Sequence, residues 1–395
     1  MALSRRAFLT LLAGTSLFAP SALAAGTDET FALAGTVYPG RGAPLPGHAV
    51  LVRQGRIEDV VPIREVNDRP VFATGNGSIL PGVINAHCHN LHTADERRAR
   101  WLEHGVTAIG DAASPLKFLT ALQDSPAGQT ATASACGPML CPPGGYPLPI
   151  HSPDHALAVA STGQGSDAVK RLADLGVRRI KIAFEPGTLP KPWPVFDPTV
   201  ARAICDTAHR LGLGVRCHVE DLSGLEPALD AGVDYIEHVP YRWHDRGTIR
   251  PVIDPDNAPV PHYRKLLERM TRDRVIMTPT LDVFTRTPWN GPSLFAPVRA
   301  FHAMGGRIAL GNDFPYRRTD AGMPVQEMKL LAKAGLDESA VIEAATSTAA
   351  EVCGFTNRGR IAPGMAADLL AVRGYPTPDA LQDPVHIVKD GVFIR

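Results

Sequence analysis

The stretch that decides the fold is Leu80-Pro-Gly-Val-Ile-Asn-Ala-His-Cys-His89, an apolar segment that ends in two histidines. Its last seven residues predict a buried strand, and seven more apolar segments of similar length follow along the chain. The eight predicted strands are Val83–His89, Thr107–Asp111, Thr132–Cys136, Arg179–Phe184, Gly214–Val219, Asp234–Val239, Val275–Thr280 and Ile308–Asp313. Helical patterns lie between or after them, for example Asp95–His104, Asp167–Leu175, Pro198–Leu211 and Asp337–Ala350.

This alternation predicts an α/β fold, a parallel (β/α)8 TIM barrel of roughly 250 residues. A doubly wound open sheet is the alternative, but no predicted strand leads into a Gly-x-Gly-x-x-Gly turn. Short β segments within 31–61 and 367–394 predict a small sheet domain built from both termini. We therefore expect the barrel to occupy residues 81–357, and the terminal domain to combine residues 25–80 with 358–395.

Metal-binding residue types lie at the ends of the predicted strands, where a (β/α)8 barrel places its active site. They are His87, His89, Lys181, His218, His238 and Asp313. Because side chains alternate along a strand, His87 and His89 share one face while Cys88 points to the other. By the same reasoning Cys217 points away from His218, so both cysteines are expected to pack in the core. Paired imidazoles on one face suit zinc and similar divalent metals.

Lys181 lies inside the apolar strand Ile180-Lys-Ile-Ala-Phe184. A lysine there could extend its ammonium group past a sheet edge, but a parallel barrel has no edge strand. A buried lysine loses its proton readily, and the neutral amine can react with carbon dioxide. The resulting carbamate has two oxygens that can bridge two metal ions. Asp313 could cap the helix that follows it, but its position among the histidines favours a metal ligand and proton acceptor.

The first 24 residues have the features of an export signal. Ser4-Arg-Arg-Ala-Phe-Leu9 is a twin-arginine pattern, an apolar run follows, and Ala22-Leu-Ala24 is a cleavage site. A membrane anchor is the alternative, but the apolar run is short for spanning a bilayer. We therefore expect export of the folded protein to the periplasm, with no stable membrane insertion after signal removal.

Composition limits the classes of partner. The chain of 395 residues has 40 basic and 40 acidic residues, and no basic stripe that would bind nucleic acid. A small-molecule substrate is expected, and a homo-oligomer stays open. Six cysteines in an exported chain could pair, and Cys136 and Cys141 are close enough in sequence to do so. We expect buried free thiols, because the cysteines lie in apolar segments.

Taken in order, several motifs resemble landmarks of the amidohydrolase superfamily, and the resemblance covers nearly all of residues 30–395. The motifs are the segment quoted first, Gly105-Val-Thr-Ala-Ile-Gly-Asp, Ile180-Lys-Ile, Gly232-Val-Asp-Tyr-Ile-Glu-His, Ala309-Leu-Gly-Asn-Asp, Ala345-Thr-Ser-Thr-Ala-Ala and Gly359-Arg-Ile-Ala-Pro-Gly-Met-Ala-Ala-Asp-Leu. Within the superfamily the chain is most similar to the imidazolonepropionase-like and Xaa-Pro or cationic-dipeptide dipeptidase branch. The resemblance implies a TIM barrel with a β-sandwich made from both termini.

The resemblance also assigns the ligands. It implies that His87 and His89 bind the more buried of two divalent ions together with Asp313, and that His218 and His238 bind the second. Carboxylated Lys181 would bridge both ions, and zinc is the expected metal. A hydroxide held between the ions would cleave a C–N bond of a dipeptide or an N-acyl amino acid, with Asp313 as general base and then acid.

Two departures from the family pattern affect the expected site. Asn312 stands where relatives often have threonine, and Pro143-Gly-Gly-Tyr146 stands where relatives tend to carry Gly-Gly-His. The second change weakens any inference of substrate by analogy. Tyr146 and Tyr241 are the candidate substrate or oxyanion contacts, with ordinary loop packing as the alternative for each.

Three other functions stay open. A mononuclear imidazolone-type hydrolase or deaminase would need His87, His89, His218 and Asp313 but no lysine, so counting metal ions distinguishes it. A lactone or phosphoester hydrolase could use the same centre, and only a substrate panel separates these reactions. A non-catalytic periplasmic metal- or solute-binding protein would not require a proton acceptor beside the metal.

Overall fold

The structure, a computed structural model, describes residues 30–89, 95–123, 128–187, 191–245, 247–286 and 291–395. The predicted export signal, residues 1–24, lies outside the described residues. The strands are β1 Thr30–Val37, β2 Leu45–Arg53, β3 Arg56–Pro62, β4 Val71–Pro81, β5 Val83–Cys88, β6 Val106–Asp111, β7 Thr132–Ala135, β8 Met139–Cys141, β9 Ala156–Ala158, β10 Arg179–Ala183, β11 Gly214–His218, β12 Tyr235–Glu237, β13 His244–Asp245, β14 Thr248–Ile249, β15 Ile276–Thr278, β16 Leu369–Val372, β17 His386–Lys389 and β18 Val392–Phe393. The α-helices are α1 Asp95–Glu103, α2 Leu119–Gln123, α3 Thr162–Asp174, α4 Pro198–Arg210, α5 Leu222–Ala231, α6 Pro261–Arg272, α7 Leu281–Thr285, α8 Gly291–Ala303, α9 Val325–Lys333, α10 Glu338–Ala345 and α11 Ser347–Cys353.

The middle of the chain forms two parallel sheets. One has the order β5-β6-β7, and the other has the order β15-β12-β11-β10-β8-β9. Backbone hydrogen bonds connect them: Arg178 donates to Ala135 across one gap (3.0 Å). Seven of the eight predicted strands are present, and each begins and ends within two residues of the predicted positions. The third of them, β7, is followed after a break at Gly137 by the short additional strand β8. The predicted α/β class with parallel strands is confirmed.

The predicted eighth strand, 308–313, is wrong as a continuous strand. Isolated bridges join Ile308 to Met277 in β15 and Phe314 to Cys88 in β5, and scattered backbone hydrogen bonds link the segment to both strands without forming a regular ladder. The physical reason lies in its end, where Asp313 takes a left-handed conformation with φ +57°. That conformation ends an extended strand and turns the chain across the mouth of the site.

Helix boundaries follow their capping residues. Asp197 caps α4 and Asp337 caps α10. The prediction of one continuous helix over 337–350 is wrong. The chain forms two helices, α10 and α11, because Thr346 between them adopts φ −132° and ψ −89°. α3 begins earlier than the predicted Asp167, since the Ser161 side chain accepts from the Gln164 amide and starts the helix there.

Both ends of the described chain join one seven-stranded sheet, in the order β18-β17-β16-β4-β1-β2-β3. Its core includes Phe31, Leu33, Val50, Ile79 and Leu369. The contribution of both termini agrees with the prediction. β4 leaves this sheet at Pro81 and continues almost directly into β5, so the sheet positions the first strand of the candidate site.

All six cysteines are buried and free, so the expected free thiols are confirmed and Cys136 does not pair with Cys141. Cys88 and Cys217 belong to the main hydrophobic core, as the alternation argument predicted. Over the part of the chain that the structure covers, no helix is both long and apolar enough to cross a membrane.

Candidate metal centre

Three of the predicted ligands meet at one point. His87 and His89 come from the end of β5, and their Nε2 atoms are 3.2 Å apart. The Asp313 Oδ1 atom lies 3.3 Å from each of these nitrogens. Atoms that bind one tetrahedral zinc ion at about 2.0–2.1 Å lie about 3.3 Å from one another. The three donor atoms are therefore spaced as ligands of a single divalent ion.

Local packing explains why Asp313 reaches β5. The Asp313 amide donates to the His87 carbonyl (2.9 Å), and the Asn85 amide group donates to Asn312 Oδ1 (2.8 Å). Gly311 is needed for this approach, because a Cβ atom there would lie 2.6 Å from the His87 Cβ. Asn312, which stands where relatives often have threonine, thus supplies an amide that links the segment carrying Asp313 to β5.

A buried ion pair between Glu237 and Arg216 orients the His87 ring. The Glu237 carboxylate contacts His87 Nδ1 (2.5 Å) and accepts from Arg216 Nε (2.6 Å), and Arg216 also donates to the Ala86 carbonyl. Burial opposes ionisation, but Arg216 and His87 hold the pKa of Glu237 well below its ordinary value. A carboxylate on Nδ1 leaves His87 Nε2 free to bind a metal.

A second group lies beside the first. His218, His238 and Glu220 offer ligand atoms that all lie within 4.8 Å of one another. Thr280 Oγ1 contacts His238 Nδ1 at 2.7 Å and so orients that ring. The His238 ring lies 4.8 Å from the His87 ring and 4.5 Å from the His218 ring, between centroids. The two groups are therefore neighbours, with His238 between them.

Burial favours the neutral form of the imidazoles in the second group, which is the form that metal ligands need. Burial, reinforced by nearby histidines and Lys181, lowers the pKa of both His218 and His238 well below the ordinary value. His218 Nε2 is buried and has no hydrogen-bond partner among the residues that the structure describes. An orphaned buried nitrogen of this kind is what a missing ligand would satisfy.

Lys181 is fully buried, and its Nζ atom has no hydrogen-bond partner within the described ranges. Burial lowers its pKa; Glu237 opposes this shift and Arg216 adds to it. Its charge affects His89, His218 and His238, so the amine lies within electrostatic range of both groups. A buried amine whose neutral form is favoured, and which has no partner among the described residues, fits the requirements for a carbamate that would hold a metal.

Aromatic residues cover the centre. Tyr146 stacks on His218 at 4.2 Å between ring centroids, and Tyr316 packs against His89 at 5.2 Å. His151 joins them, with its Nε2 atom 3.4 Å from the Tyr146 hydroxyl and its Nδ1 atom 3.4 Å from the Tyr316 hydroxyl. We call Tyr146, His151 and Tyr316 the aromatic bridge. It spans the mouth from one ligand group to the other.

Tyr241 is placed differently from Tyr146. It is buried, and its hydroxyl donates to Glu220 Oε2 (3.1 Å) while the ring packs against Phe284. The Arg242 guanidinium contacts Glu185 (2.6 Å) and Glu220 (3.4 Å). Burial raises the pKa of Glu220 to about 7, with Arg242 opposing this shift. Tyr241 therefore orients a carboxylate that faces the second group.

The structure brings five of the predicted ligands, His87, His89, Asp313, His218 and His238, into two adjacent groups, with Lys181 within electrostatic range of both. Tyr146 stacks on His218, whereas Tyr241 contacts Glu220. Sequence reasoning missed Glu237, Arg216, Thr280, Glu220 and His151. A signal existed for three of them: Glu237 directly precedes His238, and Arg216 and Glu220 flank His218 by two residues on either side. His151 and Thr280 carry no comparable sequence signal.

The sequence profile of the amidohydrolase family matches residues 78–394. The chain belongs to the amidohydrolase family. Enzymes of this family are metal-dependent and act on small molecules, which agrees with the two groups of candidate ligands in this amidohydrolase.

A sequence relative matches most of this amidohydrolase, and solved structures share its fold. An uncharacterised protein of Mycobacterium tuberculosis is 26% identical, and the alignment covers 80% of this chain and 85% of that protein. An Xaa-Pro dipeptidase with methionine bound in its active site has a TM-score of 0.75 at 20% identity, covering 93% of this chain and 100% of the other. Ochratoxinase of A. niger has a TM-score of 0.71 at 18% identity, covering 93% and 96%.

Proposed function

We propose that this amidohydrolase uses two divalent metal ions, with zinc as the metal, to hydrolyse a C–N bond of a small molecule such as a dipeptide or an N-acyl amino acid. Two adjacent groups of candidate ligands carry the proposal: the donor atoms of His87, His89 and Asp313 are spaced for one ion. His218 and His238 offer the ligand atoms for a second ion beside it. The fold shared with an Xaa-Pro dipeptidase supports the choice of amide-type substrates.

The residues of the chain would divide the chemistry among them. Two bound divalent cations would polarise the scissile carbonyl and lower the pKa of a water molecule. Asp313 would take a proton from the water and deliver it to the leaving nitrogen. Burial opposes its ionisation, but hydrogen bonds from His87 and His89 hold the pKa of Asp313 well below its ordinary value. The carboxylate is therefore available as a base.

The ligand that completes the second position is the finer part of the proposal. We assign it to Lys181 as a carbamate, because its amine is buried, unpartnered among the described residues and shifted toward the neutral form. Glu220 is the rival, since its Oε1 atom lies 3.7 Å from His218 Nε2. Metal content of single variants separates the two.

A mononuclear member of the same family is the second candidate function. The observation that favours it is that the first group alone supplies three well-spaced ligand atoms. Such an enzyme would keep full activity with about one ion per chain, because a single metal-bound position can be sufficient for hydrolysis.

We also propose a location and an architecture. The twin-arginine segment at Ser4–Leu9 supports export to the periplasm. The fold of the related structures supports a (β/α)8 barrel over 81–357 and a β-sandwich over 25–80 and 358–395. Replacing both Arg5 and Arg6 with lysine should leave the full-length protein in the cytoplasm, and fractionation of cells checks this. Unchanged export would contradict the twin-arginine route.

The proposed reaction is tested with zinc-loaded protein and a panel of dipeptides, N-acyl amino acids, lactones and phosphoesters. We expect turnover of at least one amide, with release of a free amine. The Asp313→Asn variant serves as the negative control for contaminating hydrolases. Turnover of lactones or phosphoesters alone would overturn the assignment to C–N bonds.

A further inference from the structure

A wide cleft of about 770 Å³ lies at the opposite end of the parallel strands from the metal centre. Arg178 and Arg179 stand where β10 begins, and Arg307 directly precedes the segment that starts at Ile308. The other wall is formed by residues 354–360, after α11. Among the described residues that line the cleft, Glu351 is the only acidic one. Six lining residues are arginines: Arg41, Arg178, Arg179, Arg307, Arg358 and Arg360.

Three of these arginines are balanced by carboxylates. Arg307 contacts both oxygens of Glu351 (2.9 and 2.6 Å), Arg41 pairs with Glu343, and Arg358 pairs with Asp368. The other three are not. Arg179 donates to the backbone carbonyls of Glu351 and Val352, and neither Arg178 nor Arg360 has a carboxylate partner within the described ranges. The cleft therefore has an excess of positive charge.

Two of the lining arginines, Arg178 and Arg358, are positioned by an aromatic ring. Arg178 and Arg358 both lie over the ring of Phe355, at 5.4 and 5.7 Å from its centroid. The Nε atoms of Arg307 and Arg358 are buried and have no acceptor in the part of the chain that the structure describes. Burial lowers the pKa of Arg178, and the charges of Arg358 and Arg179 lower it further. A bound anion would offset the mutual repulsion of these guanidinium charges.

We infer that this cleft binds a small dianion, a phosphate monoester or a dicarboxylate, through Arg178, Arg179 and Arg360. The guanidinium group pairs with two oxygens of a phosphate or carboxylate at once, and such charge-assisted hydrogen bonds are stronger than neutral ones. The site lies away from the metal ligands and does not depend on the proposed hydrolysis. It gives the protein a second ligand site, on the face that the reaction does not use.

Calorimetry on the full mature, metal-loaded protein tests the inference, with inorganic phosphate and succinate as separate probes at an ionic strength of about 0.15 M. We expect saturable binding of at least one probe. Binding of phosphate alone assigns the site to phosphate groups, and binding of succinate alone assigns it to carboxylates. The Arg178→Gln/Arg360→Gln double variant should lose at least about tenfold in affinity, because two charge-assisted pairs are removed.

The matched control is the Arg264→Gln/Arg272→Gln double variant, which removes two arginines from the exposed face of α6. This control should bind the probes like the wild type. In both double variants, metal content and hydrolase activity should equal those of the wild type. Because a dianion could also bind at the metal centre, only the part of the binding that is lost with Arg178 and Arg360 counts. If neither probe binds, or if both double variants bind equally, no anion site exists here.

Discussion

Asp313 Oδ1 sits between the Nε2 atoms of His87 and His89, so one carboxylate serves both the metal position and the proposed proton transfer. We expect Asp313→Asn to fold normally and to lose about 10²–10⁴ in kcat, because the amide cannot accept the proton. Circular dichroism and kinetics on the same preparation check this. Wild-type turnover in the variant would remove Asp313 from the mechanism.

Glu237 contacts His87 and would act on a bound metal through it. Replacing Glu237 with glutamine keeps the shape but weakens the contact that fixes the His87 tautomer, so metal affinity should fall by about 10–100-fold. Competition with a chromogenic chelator measures this affinity. The exposed Glu226→Gln on α5 is the control and should bind metal like the wild type. Equal affinity in both variants would mean that Glu237 only neutralises Arg216.

His151 tests whether the aromatic bridge meets the substrate. We expect His151→Phe to retain its metal and to lower kcat/KM about fivefold or more, which corresponds to about 1 kcal/mol for one hydrogen bond. His155→Gln, on the same loop, should have little effect. If kcat/KM is unchanged while thermal stability falls, the bridge is only a packing feature.

At the residue scale, sequence alone identified the candidate metal ligands but not the groups that orient them. His87 and His89 could be recognised from the sequence because alternation places both on one face of a strand. Their partners do not, since the Glu237 contact joins residues 150 positions apart, and Thr280 reaches His238 from the end of another strand. Such contacts depend on strand register, which a single sequence does not contain.

At the scale of elements, an uncommon backbone conformation occurs just after β12, just after β15 and at the end of the extended segment 308–313. His238, Thr280 and Asp313 have φ values of +74°, +50° and +57°. Residues other than glycine rarely adopt this region, and at functional sites the strain is held by the surrounding structure. Each of the three side chains lies at the candidate metal centre. Apolar patterning predicted the strands but not these endings, because backbone strain leaves no mark in composition.

Gly311 shows how close the elements approach. An added Cβ would lie 2.6 Å from the His87 Cβ and 2.7 Å from the Thr278 Cγ2. We expect Gly311→Ala to lower the free energy of unfolding by about 1–3 kcal/mol through overpacking and to reduce bound metal. Urea unfolding and metal analysis measure both effects. Gly163→Ala, with open space around it, is the control; equal stability of the two variants would show that the contact relaxes freely.

At the scale of the molecule, alternating strands and helices predicted the parallel sheets, and β-rich ends predicted one sheet from both termini. The Arg-lined cleft was not predicted, because its six arginines are spread from residue 41 to residue 360. The net charge does not indicate the cleft either, because 40 basic and 40 acidic residues balance over the chain. Only the folded chain places the metal centre at one end of the strands and the cationic cleft at the other.

The central claim is a centre for two metal ions, with Lys181 holding the second. Mass spectrometry of metals in purified, folded protein tests it most directly, with Lys181→Met and Glu220→Gln measured beside the wild type. We predict about two ions per chain in the wild type and about one in Lys181→Met, with turnover lost in that variant. Two ions and full turnover in Lys181→Met, or one ion in a fully active wild type, would contradict the account.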